Sequence, residues 1–350
     1  MKNARRNRTR RTGFLLSLAV VLAALAVPAL AQLVDRTTAP NAAGAGIAKS
    51  LMDEIGAGRG DWMTPGSSAF IIARDPFRAI RRGRQLFQRK FTRAQGQGPV
   101  FGDGAGNIHK DLAIGAGLTD SCASCHGRPR GSAGAGGDVV TRPDSRDAPH
   151  LFGLGLKEML ADEITADLRG IRAGAIAEAR QRGRDVARSL HSKGISYGAI
   201  TAHADGSVDT AQVEGVDTDL RVRPLFAHGG TISIREFVVG AWNAEMGMQA
   251  VDPELTAAAT AHARYVTPSG MVLDGALDAI EAPRAKDAAD DPDEDGVANE
   301  IPTSLVDFME FYLLNYLRPR SIPTAACSTG SSPRPAAASP RPPTAAAGRP

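Results

Sequence analysis

The sequence predicts a mainly α-helical domain with long loops and one small β-hairpin. Apolar residues recur at helical spacing in four separate segments of the chain. Stretches rich in glycine divide these segments, and such stretches are typical of loops. In one further segment, apolar and polar residues alternate on both sides of a turn, as they do in two paired strands. The chain has 350 residues, which is long enough to bury a substantial core around these elements.

The helices are predicted from the spacing of their apolar residues. Four of them cover residues 75–91, 156–182, 231–246 and 303–317. In the first, Phe77, Ile80 and Phe87 recur among arginines, as in an amphipathic helix. A shorter helix is predicted around residues 47–55.

Loops and the hairpin account for most of the remaining chain. Residues 95–117 and 127–147 are rich in glycine and are predicted to be loops. Residues 194–213 contain alternating apolar positions and a turn at Asp205 and Gly206, so a small β-hairpin is predicted there.

The first 31 residues have the three-part layout of a secretory signal. A strongly basic start precedes a short apolar stretch, and a small-x-small cleavage site ends at Ala31. We therefore expect export and a periplasmic location, with contact to a membrane only through this segment. An uncleaved membrane anchor is the alternative interpretation.

Composition divides the chain behind the signal into three parts. Residues 32–74 are rich in alanine and glycine and are predicted to be a flexible leader. Residues 75–320 contain the predicted elements and form the folded domain. Residues 321–350 consist largely of Ala, Pro, Ser and Arg, and such a segment cannot bury enough apolar surface to fold.

Charge and cysteine content argue against a nucleic-acid-binding protein and against a disulfide-rich protein. The formal net charge is +3, and much of the basic excess lies at the two ends, so nucleic-acid binding is not expected. The three cysteines are Cys122, Cys125 and Cys327, which cannot make up a disulfide framework of several bridges.

The two closely spaced cysteines form a motif with a specific chemistry. Cys122, Cys125 and His126 stand as C-x-x-C-H, the signature of c-type haem attachment. On one helical turn, two thiols can each bond a haem vinyl group, and the adjacent imidazole can ligate the iron. A structural zinc site is one alternative, but it needs a second ligand pair, which the sequence lacks at workable spacing. A thiol–disulfide redox pair is the other, and it would be expected within a βαβ pattern.

Further segments resemble a known family in the same order along the chain. They are residues 83–91 (GRQLFQRKF), 92–100 (TRAQGQGPV), 146–156 (RDAPHLFGLGL), 223–248 (RPLFAHGGTISIREFVVGAWNAEMGM) and 302–318 (PTSLVDFMEFYLLNYLR). Together with the haem motif, they resemble the di-haem cytochrome c peroxidase superfamily, in its di-haem oxidoreductase branch. The resemblance spans roughly residues 81–318 and implies a cytochrome c-like haem domain.

The resemblance implies a reaction and a catalytic residue. In that family the N-terminal haem reduces peroxide, and a carboxylic acid near its iron moves a proton between the peroxide oxygens. The matching residue here is Glu245, which makes Glu245 the candidate acid–base. The family also implies a redox protein as electron donor or acceptor.

The sixth ligand of the iron stays open at this point. The distal histidine of the bacterial peroxidases has no counterpart before Arg146. The candidate distal ligands are His150, His228, Met246 and Met248, or no protein ligand at all. An open position would favour peroxide chemistry, whereas methionine or histidine would favour electron transfer alone.

The family continues into a second domain with its own haem motif, and the present chain instead enters its Ala/Pro/Ser-rich segment. We expect a truncated or frame-shifted product of a di-haem enzyme. The alternative is a natural single-haem electron carrier without catalytic activity.

An acidic loop adds a candidate metal site. Asp291, Asp293 and Asp295 alternate before Gly296, which resembles the start of a calcium-binding loop. Position twelve of such a loop would be Pro302 instead of glutamate, so a solvated acidic turn is the alternative.

Overall fold

Helices and two small antiparallel sheets make up the fold in the computed structural model, which describes residues 50–98, 119–126, 148–226 and 229–316. Eight α-helices lie within these ranges. The prediction of a mainly α-helical fold is therefore corrected to a mixed fold of helix and strand. The predicted signal peptide and the Ala/Pro/Ser-rich segment lie outside the described residues.

Three helices come first among the described residues. They are α1 (Leu51–Ile55), α2 (Ser68–Arg74) and α3 (Pro76–Gln88). The side chains of Ser67 and Asp75 accept backbone hydrogen bonds and cap α2 and α3, respectively. Ile71 and Ile72 of α2 lie in the main hydrophobic core. The prediction of a flexible leader is therefore wrong for residues 68–74, because α2 buries apolar side chains against the rest of the fold, whereas the short helix predicted around residues 47–55 is confirmed as α1.

A long helix and a three-stranded sheet form the middle of the chain. These elements are α4 (Cys122–Cys125), α5 (Leu154–Arg182), β1 (Val186–Ser192), β2 (Ile195–Ala202) and β3 (Val208–Val213). The antiparallel strands lie in the order β1-β2-β3, so the predicted hairpin is confirmed as β2 and β3. Leu168 of α5 and Leu190 of β1 belong to a second, smaller core between this helix and the sheet.

The last described elements contribute much of the main core. They are α6 (Ile234–Ala241), a π-helical turn (Trp242–Met246), α7 (Pro253–Ala261), β4 (Arg264–Val266), β5 (Val272–Asp274) and α8 (Thr303–Leu314). The predicted helix at 231–246 is thus an α-helix that continues as a π turn. None of the helices in the described ranges combines the length and apolar character that a bilayer crossing requires.

Helix α8 lies at the centre of the main core, and its packing depends on glycine. A Cβ atom at Gly83 of α3 would overlap the backbone carbonyl of Phe308 in α8. A Cβ atom at Gly155 of α5 would overlap the carbonyl of Leu314 in the same way. Both neighbouring helices therefore approach the α8 backbone more closely than any other residue type would permit.

A network of buried charges crosses this core. The guanidinium group of Arg235 on α6 is completely buried and pairs with Asp252, Asp307 and Glu310. Asp307 also accepts a hydrogen bond from Ser68 of α2. The network joins α2, α6, α7 and α8, because Asp252 is the N-cap of α7 and the two remaining acids lie on α8.

Candidate functional site

The C-x-x-C-H motif forms one helical turn and the residue that follows it. Ser121 is extended at the N-cap, and the amide of His126 donates to the carbonyl of Cys122 at 3.0 Å. Cys122 and Cys125 are three positions apart within α4, so their side chains lie on the same side of the turn. The turn packs against α3, where the ring centre of Phe87 lies 6.5 Å from that of His126.

One hydrogen bond orients the imidazole of His126. Its Nδ1 atom lies 2.8 Å from the backbone carbonyl oxygen of Pro149. A carbonyl can only accept, so Nδ1 carries the proton and Nε2 keeps its lone pair. Burial lowers the pKa of His126 and outweighs the opposite effects of Pro149 and Glu245, so the neutral ring is favoured. A neutral histidine held in this way by a backbone carbonyl is the usual form of a metal-ligating histidine.

The two cysteines are free thiols rather than a disulfide. Burial raises the pKa of the Cys122 thiol to about 12. Burial and the nearby charge of Glu245 raise the pKa of the Cys125 thiol as well. Both groups are therefore protonated at neutral pH, whereas thiol–disulfide redox centres depend on a cysteine with a lowered pKa.

The described residues also provide no set of zinc ligands at this turn. Among the residues that the structure describes, only Asp291, Asp293 and Asp295 form a group of three or more metal-ligating side chains within reach of one ion. The motif cysteines and His126 belong to no such group, although a structural zinc site needs four ligands.

The fold brings Glu245 next to the motif. Its negative charge opposes ionisation of Cys125 and favours the protonated form of His126, which reflects their proximity. The π turn that carries Glu245 runs beside the chain that leads to the motif. Along it, the amide of Gly98 donates to the carbonyl of Met246 at 3.0 Å, and the amide of Thr119 donates to the carbonyl of Glu245 at 3.5 Å. π turns inside helices are frequent at functional sites.

The candidate distal ligands lie in different places. His150 is exposed and directly follows Pro149, so it is next to the residue that binds Nδ1 of His126. Met246 and Met248 are buried in the main core, in the same apolar cluster against which Cys122 packs. His228 lies outside the described residues.

A buried donor near the π turn has no acceptor. Among the described residues, the indole Nε1 of Trp242 is buried and has no hydrogen-bond partner. Unsatisfied buried donors are rare in folded proteins, so this group needs an acceptor that the described residues do not provide. Neither Trp242 nor Pro149 could be identified as a site residue from the sequence, because both contributions depend on tertiary packing.

The acidic loop lies next to the π turn. One carboxylate oxygen from each of Asp291, Asp293 and Asp295 lies within 4.8 Å of the others. The amides of Gly296 and Val297 donate to Asp291 and Asp295, which fixes the loop. Carboxylate oxygens at this separation can face one hard cation such as calcium, although acidic turns of this kind also occur without metal.

The Gln249 side chain connects the acidic loop to the π turn. Its Nε2 atom lies 3.5 Å from Asp293, and its Oε1 atom accepts from the Asn243 side chain at 3.0 Å. The amide of Gln249 also donates to Glu300 at 2.6 Å. The loop and the segment that carries Glu245 are therefore held against one another by direct hydrogen bonds.

Comparison of the chain with protein-family models, with curated proteins and with solved structures finds no match.

Proposed function

We propose that this protein is a c-type cytochrome whose single haem is attached through Cys122 and Cys125 and ligated by His126. The hydrogen bond from His126 Nδ1 to Pro149 is the observation that carries the proposal. It leaves Nε2 available next to two thiols that share one turn. We further propose that the buried indole Nε1 of Trp242, which has no acceptor among the described residues, donates a hydrogen bond to a propionate of this haem.

The haem would supply a redox-active iron, and the side chains of this chain would determine what that iron does. Cys122 and Cys125 would hold the haem through thioether bonds, because each thiol S–H can add across a vinyl double bond without an external oxidant. The raised pKa values keep both cysteines in the thiol form that carries the required hydrogen. Pro149 would hold the imidazole, and the apolar core around Phe87 would exclude water.

Peroxidase-type chemistry is the catalytic form of this proposal. Reduction of a peroxide needs a proton to move to the leaving oxygen, and a carboxyl group close to the reacting atoms can carry it. The proximity of Glu245 to the motif supports this role for its carboxyl oxygens. The reaction would also need electrons from a redox partner protein.

A second candidate function is electron transfer without substrate chemistry. The burial of Met246 and Met248 in the cluster that contacts Cys122 supports this alternative, because a thioether is a common sixth ligand in electron carriers. Addition of peroxide and a reduced donor to the loaded protein separates the two candidates. Turnover supports the peroxidase, whereas a six-coordinate spectrum with methionine ligation and no turnover supports the carrier.

A calcium ion at Asp291, Asp293 and Asp295 is a subsidiary part of the proposal. Three oxygen atoms within 4.8 Å of one another and two fixed backbone turns support it. We also propose a periplasmic location, since c-type haem is attached after export and the first 31 residues have the layout of a secretory signal.

Expression in the periplasm of a host with haem-attachment machinery tests the main proposal. We expect the mass of one haem on the mature chain and the spectrum of a c-type cytochrome. The variant Cys122→Ala/Cys125→Ala should lose both signals, whereas the control Cys327→Ala should keep them. A protein that carries no covalent haem while Cys327→Ala and the wild type both fold would overturn the proposal.

A further inference from the structure

The solvent-facing side of α3 carries a row of exposed arginines. Arg78, Arg81 and Arg84 are exposed and recur every three residues, so they lie on one face of the helix. Between Pro76 and Arg93 the sequence contains seven Lys or Arg residues and no Asp or Glu. The opposite face of α3 is buried in the core through residues such as Leu86.

The described residues provide no ion pair for Arg78, Arg81 or Arg84. Two other basic residues of the same stretch point inward instead. Arg82 donates to the carbonyl of Glu54, and Arg89 pairs with the Glu54 carboxylate at 3.2 Å. Within the described ranges, the three exposed arginines therefore have no acidic side chain to neutralise them.

This face leads directly to the haem motif. The amide of Phe91, just beyond α3, donates to the carbonyl of Asp120 at 2.8 Å. Lys90 pairs with the Asp120 side chain at 3.0 Å, and Asp120 stands two residues before Cys122. A partner that binds the arginine row and extends past the C-terminal end of α3 would therefore reach the segment that leads into Cys122 and His126.

We propose that the arginine face, formed by Phe77, Arg78, Arg81 and Arg84, docks an acidic redox protein that exchanges electrons with the haem. This inference rests on the proposed function for the electron it transfers. Charge complementarity selects the partner, since clustered positive charge accelerates the encounter with an acidic surface. Phe77, with 74% of its surface exposed, offers one apolar anchor among the arginines, and aromatic and arginine side chains are the residues most enriched at interface hot spots.

A membrane surface fits this face less well. Amphipathic helices that lie on bilayers insert a broad apolar face, whereas the apolar face of α3 is already occupied by the core. Phe77 is the one large apolar residue on the exposed side of α3. The row is therefore suited to charged contact at a surface rather than to insertion.

A reduced acidic blue-copper protein, plant plastocyanin, serves as the probe. One electron passes from Cu(I) to ferric haem, which yields Cu(II) and ferrous haem. Stopped-flow absorbance measures this rate with the haem-loaded full chain at increasing ionic strength. We expect a steep fall with salt, and about a tenfold or greater loss at low salt for Arg78→Glu/Arg81→Glu/Arg84→Glu.

The control is Arg180→Glu/Arg182→Glu/Arg184→Glu, at the C-terminal end of α5 and just beyond it, which changes the net charge by the same amount. Equal losses in both triple variants, or a wild-type rate independent of salt, would overturn the proposal. Circular dichroism checks folding, and a triple Arg→Gln variant of the arginine face repeats the test with a smaller change. If the Arg78→Glu/Arg81→Glu/Arg84→Glu variant loses the binding to phosphatidylglycerol vesicles that the wild type shows, but reacts with plastocyanin at an unchanged rate, the proposal is overturned. The face would then be assigned to a membrane.

Isothermal titration of plastocyanin against the folded chain keeps this inference separate from the proposed function. Weak binding that the arginine variant abolishes and the control variant retains supports the docking face even when no haem is attached. In that case the missing haem rejects the proposed function alone. Haem attachment with no measurable binding and no salt-dependent rate rejects the docking face and leaves the cytochrome proposal intact.

Discussion

Gly83 of α3 lies against the backbone carbonyl of Phe308 in α8, with no room for a Cβ atom between the two helices. This contact sets the distance between the helix that supports the haem motif and the helix at the centre of the core. Because both partners are rigid backbone, a larger residue at position 83 must push the helices apart.

We therefore expect Gly83→Ala to destabilise the protein by about 1–3 kcal/mol, the usual cost of overpacking a core. Gly170→Ala is the matched control, because Gly170 is also within a helix but has open space around its Cα. That control should stabilise the protein by about 0.5–1 kcal/mol, since alanine favours the helix. Urea unfolding followed by circular dichroism measures both values, and similar effects of the two substitutions would contradict the packing argument.

The stability of the protein should depend on the charge of Glu158. Burial raises the pKa of Glu158 to about 8, from an ordinary value of 4.5. The Glu158 carboxyl group therefore stays protonated to a higher pH in the folded protein than in the unfolded chain. A raised carboxyl pKa contributes stability below the unfolded pKa, and that contribution is lost as the pH rises toward the folded pKa. We expect the free energy of unfolding to lose about 1 kcal/mol per pH unit from this group between about pH 5 and pH 8.

Glu158→Gln should remove this dependence, because the amide keeps an acceptor for the Ile234 amide but cannot ionise. The difference in unfolding free energy between variant and wild type should then grow in favour of the variant as the pH rises. Glu163→Gln, on the exposed side of the same helix, serves as the control. A difference that stays constant across the pH range would show that Glu158 is ionised in the folded state.

Trp242→Phe tests the orphaned indole. In the protein without haem, loss of an unsatisfied buried N–H should offset part of the cost of the smaller side chain. If the indole donates to a propionate of the proposed haem, the same substitution should cost about 1–3 kcal/mol more in the loaded protein, because that hydrogen bond is also lost. Melting temperatures of both forms measure this difference, with the exposed Trp62→Phe as control. Equal costs in the loaded and haem-free forms would mean that the indole does not bind the cofactor.

Calcium should raise the melting temperature of the wild type if the acidic loop binds it. A ligand present at about one hundred times its dissociation constant stabilises the folded state by about 2.7 kcal/mol. Asp293→Asn should abolish this response, and Asp287→Asn, an exposed residue outside the cluster, should retain it. A wild type that responds equally to calcium and to matched sodium chloride would show that the loop is a solvated acidic turn.

The sequence predicted the elements that have strong periodicity. The helix at 156–182 is confirmed as α5 with the same C-terminal residue, and the helix at 303–317 is confirmed as α8 over Thr303–Leu314. Strand β1 was not predicted, because its segment VARSLHS mixes exposed polar residues with only two large apolar ones. Helix α2 was assigned to a leader, since seven residues are too few for a periodic signal.

The site was predictable only where its chemistry is local. Cys122, Cys125 and His126 are adjacent in the chain, and the resemblance supplied Glu245, which the fold then places beside them. The buried charges around Arg235 could not be predicted, because charged residues usually indicate a solvated surface and only tertiary packing brings their partners together.

Helix α5 begins at Leu154, five residues after the carbonyl that holds His126, and it ends against the three-stranded sheet. Its 29 residues make a continuous rod of about 43 Å. A tilt imposed at the sheet would therefore displace Pro149 and rotate the imidazole of His126. Under the proposed function, the redox potential of the haem would then depend on how α5 is seated against the sheet.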